Sequence, residues 1–183
     1  MEKKLFTIGH GSTGVEEKNL NKFIEILNFY SIKTLVDIRS YPVSNFASWF
    51  NKQYLEKELT KHKIKYRFAG KLLGGRPKDE AFYDKEGYAL YNKMAESNDY
   101  KDGLDRLKEI AQISNTVIMC SEKRFEDCHR SLLIARTLGK DWKINHIISI
   151  KEVIPHEFNS AIPVTLSGDQ IWKSVLPIRN ELN

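Results

Sequence analysis

The sequence predicts an α/β fold: a three-layer, Rossmann-like arrangement in which a mostly parallel sheet of about five strands carries helices on both faces. Two observations lead there. Short β-rich runs alternate along the chain with segments of helical periodicity, the signature of βαβ units. A content of 41% hydrophobic and 29% charged residues over 183 positions is that of an ordinary globular chain.

The runs that read as strands are Leu5–Gly9, Thr34–Ile38, Ile64–Phe68, Thr116–Cys120 and Asn145–Ile150. Between the first two, Leu20, Phe23, Ile24 and Leu27 recur at helical spacing and give an amphipathic helix with one core face. Thr13 with Glu16 is a candidate capping box at its start. Helix formers such as Leu55, Glu56, Lys57 and Leu59 predict a second helix over 51–62. A long excursion over 69–115 opens on the loop signal Gly74-Gly75-Arg76-Pro77 and continues as helices over 87–96 and 100–112. A last helix over 129–138 ends at Gly139, a residue suited to the C′ position. Residues 1–150 are expected to form a single α/β domain, with 151–183 as a C-terminal extension packed on it.

Several classes are excluded at this level. No run approaches the ~18 apolar residues of a membrane helix, so no membrane partner is expected. The charged start, Met1 to Lys4, runs straight into Leu5, and no signal peptide is expected. A cytoplasmic location follows as the default. Two cysteines do not make a disulfide scaffold, and in a reducing compartment they are thiols or ligands.

Ligands of open α/β sheets bind outside the carboxyl ends of the strands, so the residues just after each strand are the place to look. The first strand runs into Gly9-His10-Gly11-Ser12, a glycine-flanked loop whose amides suit an anion, with His10 and Ser12 adding hydrogen bonds or acid–base chemistry. The alternative is a plain tight turn. The second strand ends Asp37-Ile38-Arg39-Ser40, placing two charges where a buried parallel strand wants apolar residues. Asp37 and Arg39 either pair with each other or stand as a carboxylate and an anion clamp at the mouth of a cleft.

The fourth strand gives the strongest signal: Cys120-Ser121-Glu122 at its end, then Cys128-His129-Arg130 opening a helix. The helix dipole, Arg130 and Lys123 are expected to lower the pKa of a thiol there. Arg130 in a first helical turn opposes the dipole, which calls for an anionic ligand, Asp37 or Glu122 beside it. Three readings of the cysteines stand: a reactive nucleophile, a buried core thiol, or a metal site with His129 and His10. The eight-residue spacing is wider than structural zinc sites usually show, and no metal is assigned.

These segments together resemble the domain of unknown function 488 family. The resemblance rests on Thr7-Ile8-Gly9-His10, Leu35-Val36-Asp37-Ile38-Arg39-Ser40-Tyr41-Pro42, Phe50-Asn51, Leu73-Gly74-Gly75-Arg76-Pro77 and Met119-Cys120-Ser121-Glu122 with Cys128-His129-Arg130-Ser131, over roughly residues 4–150. Two departures stand out: Gly11 precedes Ser12 where the family commonly has serine directly after the histidine, and Asn45 follows Ser44 where it often has arginine. The resemblance implies that His10, Asp37, Arg39, Cys120, Glu122, Cys128, His129 and Arg130 occupy motif positions, and it implies no reaction. A fainter likeness to rhodanese-type and cysteine phosphatase domains is analogy only, because ten positions separate Cys120 from Arg130.

Charge is unevenly spread. Residues 51–78 hold nine basic and two acidic residues, a net +7 against +5 for the whole chain. Phe46, Trp49, Phe50, Tyr54, Tyr66 and Phe68 border and interleave them, a composition that suits nucleic acid or, equally, a solvated helix face with core anchors.

The expectation is therefore an enzyme with an anion-binding cleft at the strand ends, acting on a phosphate-bearing small molecule, a nucleotide or nucleic acid. Its catalytic candidates are His10, Asp37, Cys120, Glu122 and Cys128. Ser12, Arg39, Ser40, Arg76, His129 and Arg130 are the candidates for binding the anion. No cofactor is specified. A nucleic-acid-binding protein without catalysis and a metal-bound structural module are the alternatives.

Overall fold

A computed structural model describes residues 2–12, 20–158 and 172–178 of the chain. Six strands form one sheet: β1 (Lys4–Gly9), β2 (Thr34–Asp37), β3 (Lys65–Phe68), β4 (Thr116–Cys120), β5 (Lys143–Ser149) and β6 (Glu152–Pro155). Their order is β3-β2-β4-β1-β5-β6. The first five are parallel, and β6 runs antiparallel to β5. The five expected strands are all present. The sixth is a correction to the plain extension expected after residue 150. All four of its residues are exposed and it ends in Pro155, a residue that sheets accept at an edge, so no buried apolar pattern announced it.

Alternation along the central strands feeds two hydrophobic clusters. Leu5, Val36, Ile118, Cys120 and Ile144 join residues of α4 (Tyr91–Glu96), α5 (Asn98–Ile113) and the helical segment Arg130–Leu138. Phe6, Ile8, Leu35, Val117, Met119 and Ile147 join α1 (Asn21–Phe29) and α2 (Lys52–Lys61). The α1 periodicity is realised, with Leu20, Phe23, Ile24 and Leu27 all buried. The Thr13–Glu16 capping box lies outside the described residues. In α2, Leu55 and Leu59 are the buried pair one turn apart.

The long excursion holds a short helix, α3 (Gly70–Leu73), inside what reads as loop. The helix expected over 87–96 begins only at Tyr91, because Ala89 and Leu90 are taken up in bridges to Tyr83 and Lys173. After Cys128 the chain winds as a π-helix over Arg130–Ala135 before the α-helical turn α6 (Arg136–Leu138). Gly139 follows with φ of 71°, a value that glycine alone adopts without strain.

β4 lies between β1 and β2, and the strand order, which runs from β1 to β2 and β3 on one side, turns back there to β4 and β5. The carboxyl ends of β1, β2 and β4 meet at that reversal. The amide of Gly11 donates to the Ser121 carbonyl at 3.2 Å, tying the loop after β1 to the loop after β4. Residues 172–178 pack on the α4 region, where the Ser174 amide donates to the Ala89 carbonyl at 2.9 Å. The Trp172 indole donates to the Leu132 carbonyl, and the Arg136 guanidinium lies 4.8 Å from its ring centre. No helix among the described residues is long and apolar enough to cross a membrane.

Candidate functional site at the carboxyl end of the fourth strand

The floor of the site is made by two short segments that the sheet brings together. β4 delivers Cys120 and, two residues on, Glu122. The turn before the π-helix delivers Cys128 and His129, with the Cys128 amide donating to the Phe125 carbonyl at 3.2 Å to close the loop. Both thiols and the imidazole are buried. Glu122 has exposed surface, but its carboxyl end turns inward and accepts from both thiols, from Cys128 at 3.2 Å and from Cys120 more closely. His129 Nδ1 stands 3.6 Å from Cys120 Sγ and 3.7 Å from Cys128 Sγ. Its other ring nitrogen, Nε2, donates to the Ile38 carbonyl at 3.2 Å. Gly75 supports the ring from behind, since a Cβ there would stand 2.7 Å from His129 Cγ.

These contacts shift the titration of every group in the cluster. For Cys120, burial opposes ionisation, but the Cys128 hydrogen bond and the His129 charge outweigh it and bring the thiol down to about 6. Burial pushes the Cys128 thiol well up, and the neighbouring Cys120 and Glu122 push it further. Burial also works against Glu122, yet His129 and the Cys120 hydrogen bond hold its carboxyl at about 2. Burial alone would lower His129, and the facing Cys120 and Glu122 raise it instead. Burial and mutual contact thus perturb all four groups: one thiol is lowered and its neighbour raised, the imidazole is raised and the carboxyl is lowered. The helix start was expected to activate a thiol near Cys128, and the activated thiol is Cys120. His129 Nδ1 is nearly equidistant from the two sulfurs, and the two thiols are divided by their mutual hydrogen bond, which lowers one and raises the other.

Arg130 is buried and meets no carboxylate side chain among the described residues. It donates to the Glu122 and Lys123 carbonyls at 2.8 and 3.0 Å and reaches Cys128 Sγ at 3.7 Å, leaving its buried Nε without a partner. Of the three partners expected for it, an anionic ligand, Asp37 or Glu122, neither carboxylate side chain pairs with it. Asp37 is instead held by Arg39, which donates from Nε at 2.9 Å and from Nη2 at 2.6 Å, and by the Tyr66 hydroxyl at 2.7 Å. The remaining reach of Arg39 goes to the Phe50 carbonyl at 2.7 Å.

A cleft of about 600 Å³ opens over the cluster. Cys120, Ser121, Glu122 and His129 line one side, and Arg39, Ser40, Gly75 and Arg76 line another. The Arg76 amide donates to Ser40 Oγ at 2.9 Å, fixing the glycine loop against the end of β2. Of the sequence candidates, Cys120, Glu122, His129, Arg39, Ser40 and Arg76 therefore share this cleft. Asp37, Cys128 and Arg130 are buried outside its wall. His10 is also apart from it, stacked on Phe50 at 4.4 Å and 16°, and burial together with the Arg39 charge lowers its pKa to about 4. Ser12 ends a short 3-10 turn, His10–Ser12, and its side chain lies outside the described residues.

Sequence reasoning missed two groups. Tyr91, Ser174, Val175 and Leu176 also line the cleft, and nothing in an apparent tail signals that it folds back there. Behind Arg130 runs a chain of hydrogen bonds from Thr7 Oγ1 to His146 Nδ1 (2.7 Å), from His146 Nε2 to His156 Nδ1 (3.0 Å) and from there to Ser131 Oγ (3.4 Å).

Chemically, the four groups Cys120, Glu122, Cys128 and His129 offer either a nucleophilic thiolate with acid–base partners or a set of ligands, their donor atoms all within 4.8 Å of one another. No curated protein and no solved structure matches the chain. The family model described as Domain of unknown function DUF488 matches residues 19–137, which take in β2 to β4, the glycine loop and the whole Cys120–Arg130 segment. With well over half of its length matched, the chain belongs to the family described as Domain of unknown function DUF488.

Proposed function

We propose that the protein is a cytoplasmic enzyme whose active centre is the Cys120–Glu122–His129 floor of the cleft, acting on a phosphate-bearing substrate of the nucleotide or nucleic-acid kind. The observation that carries it is the arrangement of the cleft itself. A cluster of titratable, mutually hydrogen-bonded groups forms one side, and Arg76 stands in the rest of the wall beside the buried Arg39–Asp37 pair. Perturbed titratable groups gathered in a cleft at strand ends are what an active site requires, and what a purely structural cluster has no need to expose. In this reading residues 1–150 are a three-layer, Rossmann-like domain and 151–183 an extension that completes the cleft wall.

The substrate class draws support from the surroundings. Lys52, Lys57, Lys61, Lys63, Lys65, Arg67, Lys71 and Lys78 are all exposed, so the +7 segment is a real surface charge. Arg76 belongs both to the cleft and to a neighbouring one lined by Lys71 and Lys78. Binding of nucleic acid without catalysis is the second reading. Exposed Phe46 and Tyr54 favour it, whereas Phe50 and Tyr66 are core residues that cannot stack on bases.

A panel of phosphate monoesters, nucleotides and single-stranded oligonucleotides tests the proposal. Turnover or saturable binding by the wild-type chain that falls at least tenfold in Arg76→Ala supports it. Absence of both across the panel overturns it.

A further inference from the structure

We propose that Cys120, Glu122, Cys128 and His129 form a binding site for a divalent ion of the zinc class. The proposal deepens the reading of the cleft as an active centre, and it rests on that reading only for the ion's role, not for its binding.

The sulfur–nitrogen geometry is that of a ligand shell, and Glu122, now in hydrogen-bond contact with Cys120 Sγ, would draw back to join it. Tetrahedral coordination with Zn–S of ~2.3 Å and Zn–N of ~2.0–2.1 Å puts sulfur and nitrogen about 3.5 Å apart. The two sulfur–nitrogen separations are 3.6 and 3.7 Å. All four donor atoms lie within 4.8 Å of one another, close enough to share one ion. Two sulfurs, one imidazole and one carboxylate form a donor set that favours zinc over magnesium or calcium.

The surroundings are those that hold ligands in place. His129 Nε2–H donates to the Ile38 carbonyl, which leaves Nδ1 to point at both sulfurs. Metal-bound histidines are ordinarily oriented in this way, through a carbonyl or carboxylate on the second nitrogen. Gly75 backs the same ring so closely that it has no alternative position on that side. Cys128 Sγ accepts from the Arg130 backbone amide at 3.5 Å and from its guanidinium at 3.7 Å.

Arg130 is compatible with the same assignment. A buried guanidinium without a carboxylate and with an unpartnered Nε is costly. Two thiolates and a carboxylate around a dication carry one net negative charge, which the guanidinium of Arg130 would face through Cys128 Sγ. Coordination requires both thiols as thiolates and Nδ1 without its proton, so the protons now shared among these groups leave to solvent as the ion enters. Glu122, the ligand on the cleft side, is the one a substrate reaches first.

The test uses the full chain purified without chelator and the metals alone as probes. Zinc is measured by elemental analysis, and the apoprotein is titrated with cobalt(II) while thiolate-to-cobalt charge transfer and tetrahedral d–d absorption are recorded. The expected result is one ion per chain, both absorption features, and loss of charge transfer in Cys120→Ser and Cys128→Ser. Asp127→Asn, beside the cluster, retains it. A folded wild-type chain that takes up neither metal overturns the proposal without reference to any variant. Metal uptake with no turnover or binding of phosphate-bearing ligands leaves the site standing and removes the enzymatic reading. Ligand binding without metal uptake does the reverse.

Discussion

Arg39 closes a two-pronged ion pair on Asp37, at 2.9 and 2.6 Å, with both side chains withdrawn from solvent. Two charges that looked like site residues at the end of a strand are thus a structural joint. The joint ties β2 to Phe50 through its carbonyl and to β3 through the Tyr66 hydroxyl. Removing one partner strands the other charge, and the expected cost of Arg39→Met is about 3–5 kcal/mol. Tyr66→Phe, which removes one hydrogen bond to Asp37, is expected to cost about 1–3 kcal/mol. Urea titration of the three proteins measures both, and an Arg39→Met variant as stable as wild type contradicts the assignment.

Gly75→Ala probes the floor of the cleft without touching a charged group. The new methyl would fall 2.7 Å from His129 Cγ, and the ring cannot retreat without giving up the Ile38 carbonyl. Displacing the ring from the carbonyl that orients it is expected to weaken metal binding about 10–100-fold. Cobalt affinity measured on the folded variant checks this, and an unchanged affinity would show that the ring is not held from that side.

Acid lability should come from the histidine chain rather than from the cluster. Burial, together with the His156 and Arg130 charges, lowers His146 to about 3, and burial with Arg39 lowers His10 to about 4. Both are neutral in the folded chain and take up protons on unfolding once the pH drops below ~6.5. Their contribution to stability is therefore complete above that pH and is lost as pH falls toward the folded values. The slope is at most about 1.4 kcal/mol per pH unit for each proton. Stability measured between pH 6.5 and 4.5, above the carboxylate range, should fall in wild type and fall less steeply in His146→Gln. Equal slopes would remove His146 as the cause.

Charge reversal on α2 tests the basic surface. Lys57→Glu with Lys61→Glu alters exposed residues, breaks the Lys61–Glu58 pair in the last turn of α2 and is expected to cost about 1 kcal/mol of stability. If a single-stranded oligonucleotide runs along α2, the dependence of log K on log salt should lose about one unit of slope for each phosphate contact removed. An unchanged slope places the nucleic acid, if any, elsewhere.

Much of this fold was legible because the central strands are apolar on both faces and α1 keeps a clean helical spacing. What stayed hidden depends on contacts distant in sequence. β6 is an exposed edge held by β5, the extended segment before Tyr91 is held by Lys173, and the side of the cleft formed by 172–178 follows from packing on α4. The site divides in the same way. Placing Cys120, Glu122, Cys128 and His129 after a strand end was possible from order alone. How the two thiols share their shift was not, because it depends on contacts with each other, with His129 and with Glu122 that only the fold brings together. Asp37 and Arg39 show the converse, since two charges at a strand end carry no mark that tells a buried pair from an open clamp.

The central claim is that the cleft over this cluster receives a phosphate-bearing ligand, and amide chemical shifts under titration test it most directly. With inorganic phosphate and then adenosine monophosphate added to the metal-loaded chain, saturable shifts should concentrate at Gly75, Arg76 and Ser121. No shifts at those amides, or shifts confined to residues 52–65 of the basic surface, would contradict it.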